Sequence, residues 1–126
     1  MRAMLPLAGV AVAAVAMAVA LHAGAAGDPV HGQQIYESRC GGCHSLDANR
    51  VGPAHRGVYG RKAGSVPDYP YSAGVKSSTI VWGDETLDKW LTNPQAFIPG
   101  ARMGFRLSKP EDRADVIAYL KQESGK

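Results

Sequence analysis

The segment RCGGCHSL, residues 39–46, holds both cysteines of this 126-residue chain and a histidine directly after the second. Two thiols separated by two residues, with an imidazole adjoining, can do four kinds of chemistry: close a small disulfide, cycle as a redox dithiol, contribute to a zinc site, or attach haem. A disulfide across two intervening residues closes a tiny loop and removes little entropy from the unfolded chain. A redox dithiol of this spacing belongs with a strand–helix–strand pattern, which the sequence does not offer. Zinc wants four ligands; Cys40, Cys43 and His44 supply three, and no further pair with zinc-finger spacing follows. Cys-x-x-Cys-His is, by contrast, the attachment signature of c-type haem. At the end of a helix Cys40 and Cys43 share a face, so both thiols can add to the vinyl groups along one porphyrin edge. His44, four positions after Cys40, can then turn its imidazole to the iron.

A second axial ligand follows by elimination. Met1, Met4 and Met17 lie in the first 26 residues, which leaves Met103 as the sole methionine of the remainder. It sits in IPGARMGF, where Pro99 and Gly100 interrupt regular structure and leave a loop able to lay a thioether over the open haem face. A lone methionine is otherwise an ordinary core filler. Two imidazoles compete for the same role: His31, near the start of a helix, and His55, in a Gly/Pro-rich loop. Both read first as surface or structural residues.

The elements that must position these groups are few. Arg2 precedes an uncharged run, Ala3 to Leu21, and small residues follow at 23–26. These are the parts of a secretory signal peptide, with cleavage after Ala25 or Ala26 expected to release residues 27–126 as one domain. The competing reading is an uncleaved anchor, since a spanning helix needs roughly 17–25 apolar residues; Asp28 and Pro29, following at once with no polar linker, weigh against it. Without Arg2, the chain has 13 Lys and Arg against 11 Asp and Glu, a net +2. That balance, evenly spread, gives no case for nucleic acid and permits only a locally basic docking face.

The pattern predicts a first helix over 29–43, with Asp28 as its cap, and turns and loops over 49–78. A second helix begins at Asp84 and stops before Asn93-Pro94. A third opens at Pro110 and buries Val116, Ile117 and Leu120. Three helices around some thirty residues of loop are too little to offset the conformational entropy of a hundred residues. A large, flat, apolar cofactor in the middle would resolve the shortfall.

Taken in order, GQQIYESRCGGCH, GPAHRGVYGRKAG, YPYS, WGDETLDKWLTNPQAFIPGARMGF and RADVIAYLK resemble the class I c-type cytochromes, particularly the mitochondrial-type branch and its soluble bacterial relatives. The resemblance covers about 28–121 and implies an all-α fold of three main helices and long loops wrapped around one covalently bound haem c. It implies that Cys40 and Cys43 carry the haem and that His44 and Met103 are its axial ligands. Gly32 and Tyr36 would meet Ile117, Tyr119 and Leu120 at a close helix crossing. Pro53 would offer its carbonyl to the far nitrogen of His44. Arg61, Tyr71 and Trp82 match residues that hold or shield the inner propionate, and Trp90, Phe105 and Leu91 match the apolar surround.

The sequence departs from that family at several points. Ala101 stands where relatives often place a propionate-bonding hydroxyl. His55 stands where the family usually has an apolar haem-lining residue and reads as a solvent-edge imidazole or a pH-dependent tuning group. The stretch between Tyr71 and Trp82 is short, and Arg39, Gln95, Ala96 and Arg102 occupy places where relatives carry lysines around the haem edge. The resulting expectation is a monomeric periplasmic electron carrier, not an enzyme, that meets redox-protein donors and acceptors transiently, with no nucleic acid and no stable membrane insertion once the leader is removed. Two alternatives stand beside it: a haem protein with a labile Met103 acting as a peroxidase or gas binder, and a membrane-tethered subunit of an oxidase or dehydrogenase complex.

Overall fold

A computed structural model describes residues 27–126, together with positions 9 and 11. The leader expected over 1–26 lies, those two positions apart, outside the described residues. Helix α1, Pro29–Ile35, starts where the sequence places it: Asp28 Oδ1 accepts the Val30 amide at 2.9 Å and Pro29 fills the first turn, where its missing N–H costs nothing. It does not run on to residue 43 as an α-helix. The backbone widens into a π-helical segment, Tyr36–Cys40, in which the Gly41 amide reaches the Tyr36 carbonyl at 2.9 Å. The amides of Cys43 and His44 then both turn back to the Cys40 carbonyl, at 3.1 and 2.9 Å. Gly41 and Gly42 give the α-helix little propensity to continue, and a π-type widening, rare in general, is frequent at functional sites.

Two one-turn helices interrupt what the sequence suggests are loops. Helix α2, Ala73–Lys76, is capped by Ser72, whose Oγ accepts the Val75 amide at 3.3 Å. Helix α3, Asp84–Thr92, begins as expected and ends at Asn93, which is extended (φ −164°, ψ 94°), as a residue before proline prefers. Asn93 then caps α4, Pro94–Phe97, by accepting the Ala96 amide at 3.3 Å. Asn-Pro therefore starts a new turn of helix rather than only stopping the old one. Helix α5 is Pro110–Ser124. No strand forms among the described residues, but an isolated antiparallel bridge joins Lys62 to Val81. Around it Trp82 donates to the Arg61 carbonyl at 2.9 Å and Ala63 to the Ile80 carbonyl at 2.8 Å. The two arms of the irregular segment are thereby held together, with Arg61 beside Trp82.

The scaffold's one intimate helix contact is α1 across α5. Gly32 is buried there, and a Cβ at that position would overlap the Asp115 carbonyl, so only glycine allows this approach. Tyr36 packs on Tyr119 with ring centroids 5.4 Å apart. Val116, Ile117 and Leu120 face inward, each no more than 5% exposed, as their helical spacing requires. Arg113, also buried, ties α5 to the rest: it donates to Asp88 Oδ1 at 2.6 Å and to the carbonyls of Leu107 and Ser108 at 2.9 and 3.0 Å. No helix among the described residues is long and apolar enough to cross a membrane.

At the outer rim of the crossing, His31 Nδ1 lies 2.6 Å from Asp115 Oδ2, while Asp115 Oδ1 accepts the Asp28 amide at 2.7 Å. The bond to Asp115, with further help from nearby carboxylates, raises the His31 pKa above its ordinary value, and the same bond lowers that of Asp115. A raised folded pKa means that the stabilisation from His31 is complete below about pH 6.5 and is lost as pH rises through the folded value. That from Asp115 is complete above about pH 4 and is lost as pH falls through its depressed folded value. His31→Gln should therefore lower the thermal midpoint relative to wild type at pH 5–6 and by distinctly less at pH 8–9. A difference between the two proteins that is flat across that range, measured by thermal melts in matched buffers, would show the pair is idle.

Candidate functional site

The helices and loops enclose a cavity of about 550 Å³, within the range of pockets that bury small organic ligands. The end of the first helical segment delivers Cys40, Cys43 and His44 to its wall, and the loop after α4 delivers Met103. Residues 63 positions apart in sequence thus face one space. Cys40 is partly buried, and that burial, with a smaller push from Cys43, raises its thiol pKa to about 11. A thiol so held stays protonated near neutrality, the opposite of what a redox dithiol requires.

His44 is held in one protonation state and one tautomer. Its Nδ1 is 3.0 Å from the Pro53 carbonyl. A carbonyl can only accept, so Nδ1 carries the hydrogen and Nε2 keeps its lone pair. Burial pushes the His44 pKa down, outweighing the opposing effect of the Pro53 bond, and Arg50 adds to the depression. The result is a neutral imidazole with a free donor nitrogen, which is what a metal ligand must be. Gly52 makes the approach possible, because any side chain there would collide with the His44 ring.

Arg61, Tyr71 and Trp82 line the same cavity. The Arg61 guanidinium donates to the carbonyls of Ala54 (2.9 Å) and Arg56 (3.3 Å), and burial lowers its pKa. Among the described residues no carboxylate pairs with it. A half-buried cation with uncharged neighbours calls for an anion. Tyr71 accepts the Val66 amide at 3.0 Å, which leaves its hydroxyl hydrogen free to donate. Trp90, Leu91 and Phe105 supply apolar wall, Trp90 meeting Trp82 edge-on at 5.3 Å and Phe105 lying under the Arg39 guanidinium at 5.3 Å. Ala101 is buried and brings no hydroxyl.

The two competing imidazoles are placed differently from each other. His31 is bonded to Asp115 at the helix crossing and does not line the cavity. His55 does line it, but beside His44: the two rings stack with centroids 4.0 Å apart and an interplanar angle of 19°. It is partly buried, and that burial drives its pKa well below the ordinary value. A ring stacked on the first imidazole cannot also stand opposite it across a metal.

A family model for cytochrome c matches residues 29–124. The chain is 48% identical over 98 residues to cytochrome c of Euglena viridis, an alignment covering 75% of this chain and 96% of that protein. It is 47% identical over 105 residues to cytochrome c2 of Rhodomicrobium vannielii, covering 80% and 83% of the two. The chain belongs to the cytochrome c family. In structure it is similar to cytochrome cH from Methylobacterium extorquens, with a TM-score of 0.73, 37% identity, and coverage of 76% of this chain and 99% of that one. The cofactor of the cytochrome c family is covalently attached haem c, and the site fits it: an apolar cavity, two thiols at its edge, a neutral imidazole with a free nitrogen, and a cation and a hydroxyl able to meet propionates.

One site residue escaped the sequence reading. Arg50 donates to the carbonyls of Gly41 (2.6 Å), Gly42 (3.2 Å) and His44 (3.1 Å). These are carbonyls left without helical partners where the first helix ends, and one guanidinium satisfies three of them. The only signal in the sequence is an arginine six residues after the histidine of the motif, too common to notice. Arg50→Ala should destabilise the cytochrome by roughly 1–2 kcal/mol, the range for hydrogen bonds to a charged group discounted for its exposure. Arg50→Lys, able to reach fewer carbonyls, should recover part of that. Denaturant melts of the three proteins check the order.

Proposed function

We propose that the protein is a periplasmic one-electron carrier in which Cys40 and Cys43 hold the haem through thioethers and His44 and Met103 are the axial ligands. The single observation that carries this reading is the convergence on one cavity of both thiols, a neutral imidazole and the only methionine of residues 27–126. Bound there, haem supplies a one-electron iron couple. The chain's own groups would set its conditions: Pro53 holds the proton on His44 Nδ1, Arg61 and Tyr71 would meet the propionates, and Trp82, Trp90, Leu91 and Phe105 would exclude water. Haem held by both His44 and Met103 would have no place left for a substrate at the metal, which favours outer-sphere transfer over oxygen chemistry. Imidazole with thioether ligation favours the reduced state and a high potential. The stacking of His55 on His44 leaves Met103 as the side chain to serve the opposite face.

Encounters with redox partners are brief and the carrier is monomeric in this reading. The exposed guanidiniums of Arg39, Arg50 and Arg102 at the cavity mouth suit a weak, salt-sensitive approach by an acidic protein surface. Export and removal of the leader follow from its composition, and the cytochrome c2 of Rhodomicrobium vannielii supports a bacterial carrier of this kind.

An optical redox titration of the purified holoprotein tests the function: one reversible one-electron transition and a weak far-red band in the oxidised form are expected. Met103→Ala should keep the haem attached, lose that band, lower the midpoint potential and open the iron to added cyanide or imidazole. A mutant with wild-type spectrum and potential would remove Met103 from the site. Mass spectrometry of protein exported by a bacterial host should give a chain starting near Gly27 plus one haem; retention of residues 1–26 would support the tethered alternative instead.

A further inference from the structure

The family pattern places an apolar residue at position 55, and this chain has a histidine. Its surroundings show that the imidazole is used. The His55 ring lies almost parallel to that of His44, 4.0 Å away and tilted by 19°. Its Nδ1 is 3.0 Å from the Tyr36 hydroxyl. Tyr36 is itself fixed, 5% exposed in the helix crossing and packed against Tyr119. The Tyr36 ring also meets His55 edge-on at 5.6 Å. A chain of contacts therefore runs from the close crossing of α1 and α5 to the flat face of His44.

The Pro53 carbonyl pins one atom of the His44 ring. A single hydrogen bond leaves the ring free to rock about the axis through that contact, because its strength varies slowly over tens of degrees. A flat neighbour at van der Waals distance removes that freedom, since rotation of either ring brings edges into collision. An aliphatic side chain would fill the volume without defining a plane. We propose that His55, held by Tyr36, is a positioning residue that fixes the plane of the His44 imidazole and, as a polar ring against the axial ligand, lowers the reduction potential. The inference rests on His44 being a haem ligand and goes beyond it: the orientation of an axial imidazole governs how unpaired spin is shared among the haem methyls in the oxidised state, and a polar neighbour favours the form with the higher charge.

Two substitutions separate the contributions. His55→Phe keeps a flat ring and loses the polarity and the bond to Tyr36; His55→Leu loses all three. In the oxidised holoprotein, the hyperfine-shifted methyl resonances of His55→Phe should keep the wild-type order and spread, whereas those of His55→Leu should change in order or contract. The midpoint potential should rise in both. Tyr36→Phe, which removes one oxygen and leaves the helix crossing packed, should move the methyl pattern part of the way towards that of His55→Leu; it carries the test if the position-55 variants do not mature. An unchanged methyl pattern in His55→Leu, or equal disturbance by Phe and Leu, overturns the positioning role, and an unchanged potential overturns the polar one. A pyridine haemochrome assay on wild-type protein keeps the two levels apart. Haem present with His55 silent refutes only this inference, while a colourless wild type removes the haem reading as well.

Discussion

The bond from His44 to the Pro53 carbonyl is the constraint around which the site is built. It decides which nitrogen carries the hydrogen, keeps the ring neutral in a buried place, and points the remaining lone pair into the cavity. Other features serve that contact. Gly52 is bare so that the carbonyl of the next residue can come close. Arg50 gathers the loose carbonyls of the turn that carries the histidine. The π-helical widening at Tyr36–Cys40 turns the end of the first helix toward the cavity.

Behind that site stands the crossing of α1 and α5, and the two are mechanically one unit. Gly32 lets the helix backbones touch, Tyr36 and Tyr119 pack in the crossing, and Tyr36 passes its hydroxyl to His55. Anything that shifts α1 against α5 therefore shifts the turn bearing Cys40, Cys43 and His44. The crossing's polar rim, from His31 and Asp28 to Asp115, does not line the cavity.

The middle of the domain is a cavity, and that shapes its energetics. Large side chains such as Trp82, Leu87 and Leu91 are buried partly against one another and partly against this space. Haem held there would be a large share of the hydrophobic core as well as the cofactor. Hence a chain with two modest helices, one longer one and two single turns can hold long irregular segments in place. The Lys62–Val81 bridge and the carbonyls bonded by Arg61 show how such segments are kept from unravelling: the backbone groups pair with each other or with a half-buried guanidinium.

By itself the sequence determined the chemistry. Cys-x-x-Cys-His is local in the chain, and its attachment chemistry needs only spacing. Met103 could be singled out because residues 27–126 contain no other methionine. Two of the helices, α3 and α5, were legible within a few residues because acidic first turns, Pro110 at the start of α5 and Pro94 just after α3 act over one turn. Tertiary structure alone decided what depends on meetings between distant segments. The first helix ends in a π-turn rather than an α-turn, Asn93 caps a new helix, and Arg50 reaches back to three carbonyls. The same holds for His55, whose ring is bonded to Tyr36 and stacked on His44. Pattern and propensity register the preferences of neighbouring residues; which ring faces which across a cavity is set by packing, where every side chain must share one volume with residues far away in sequence.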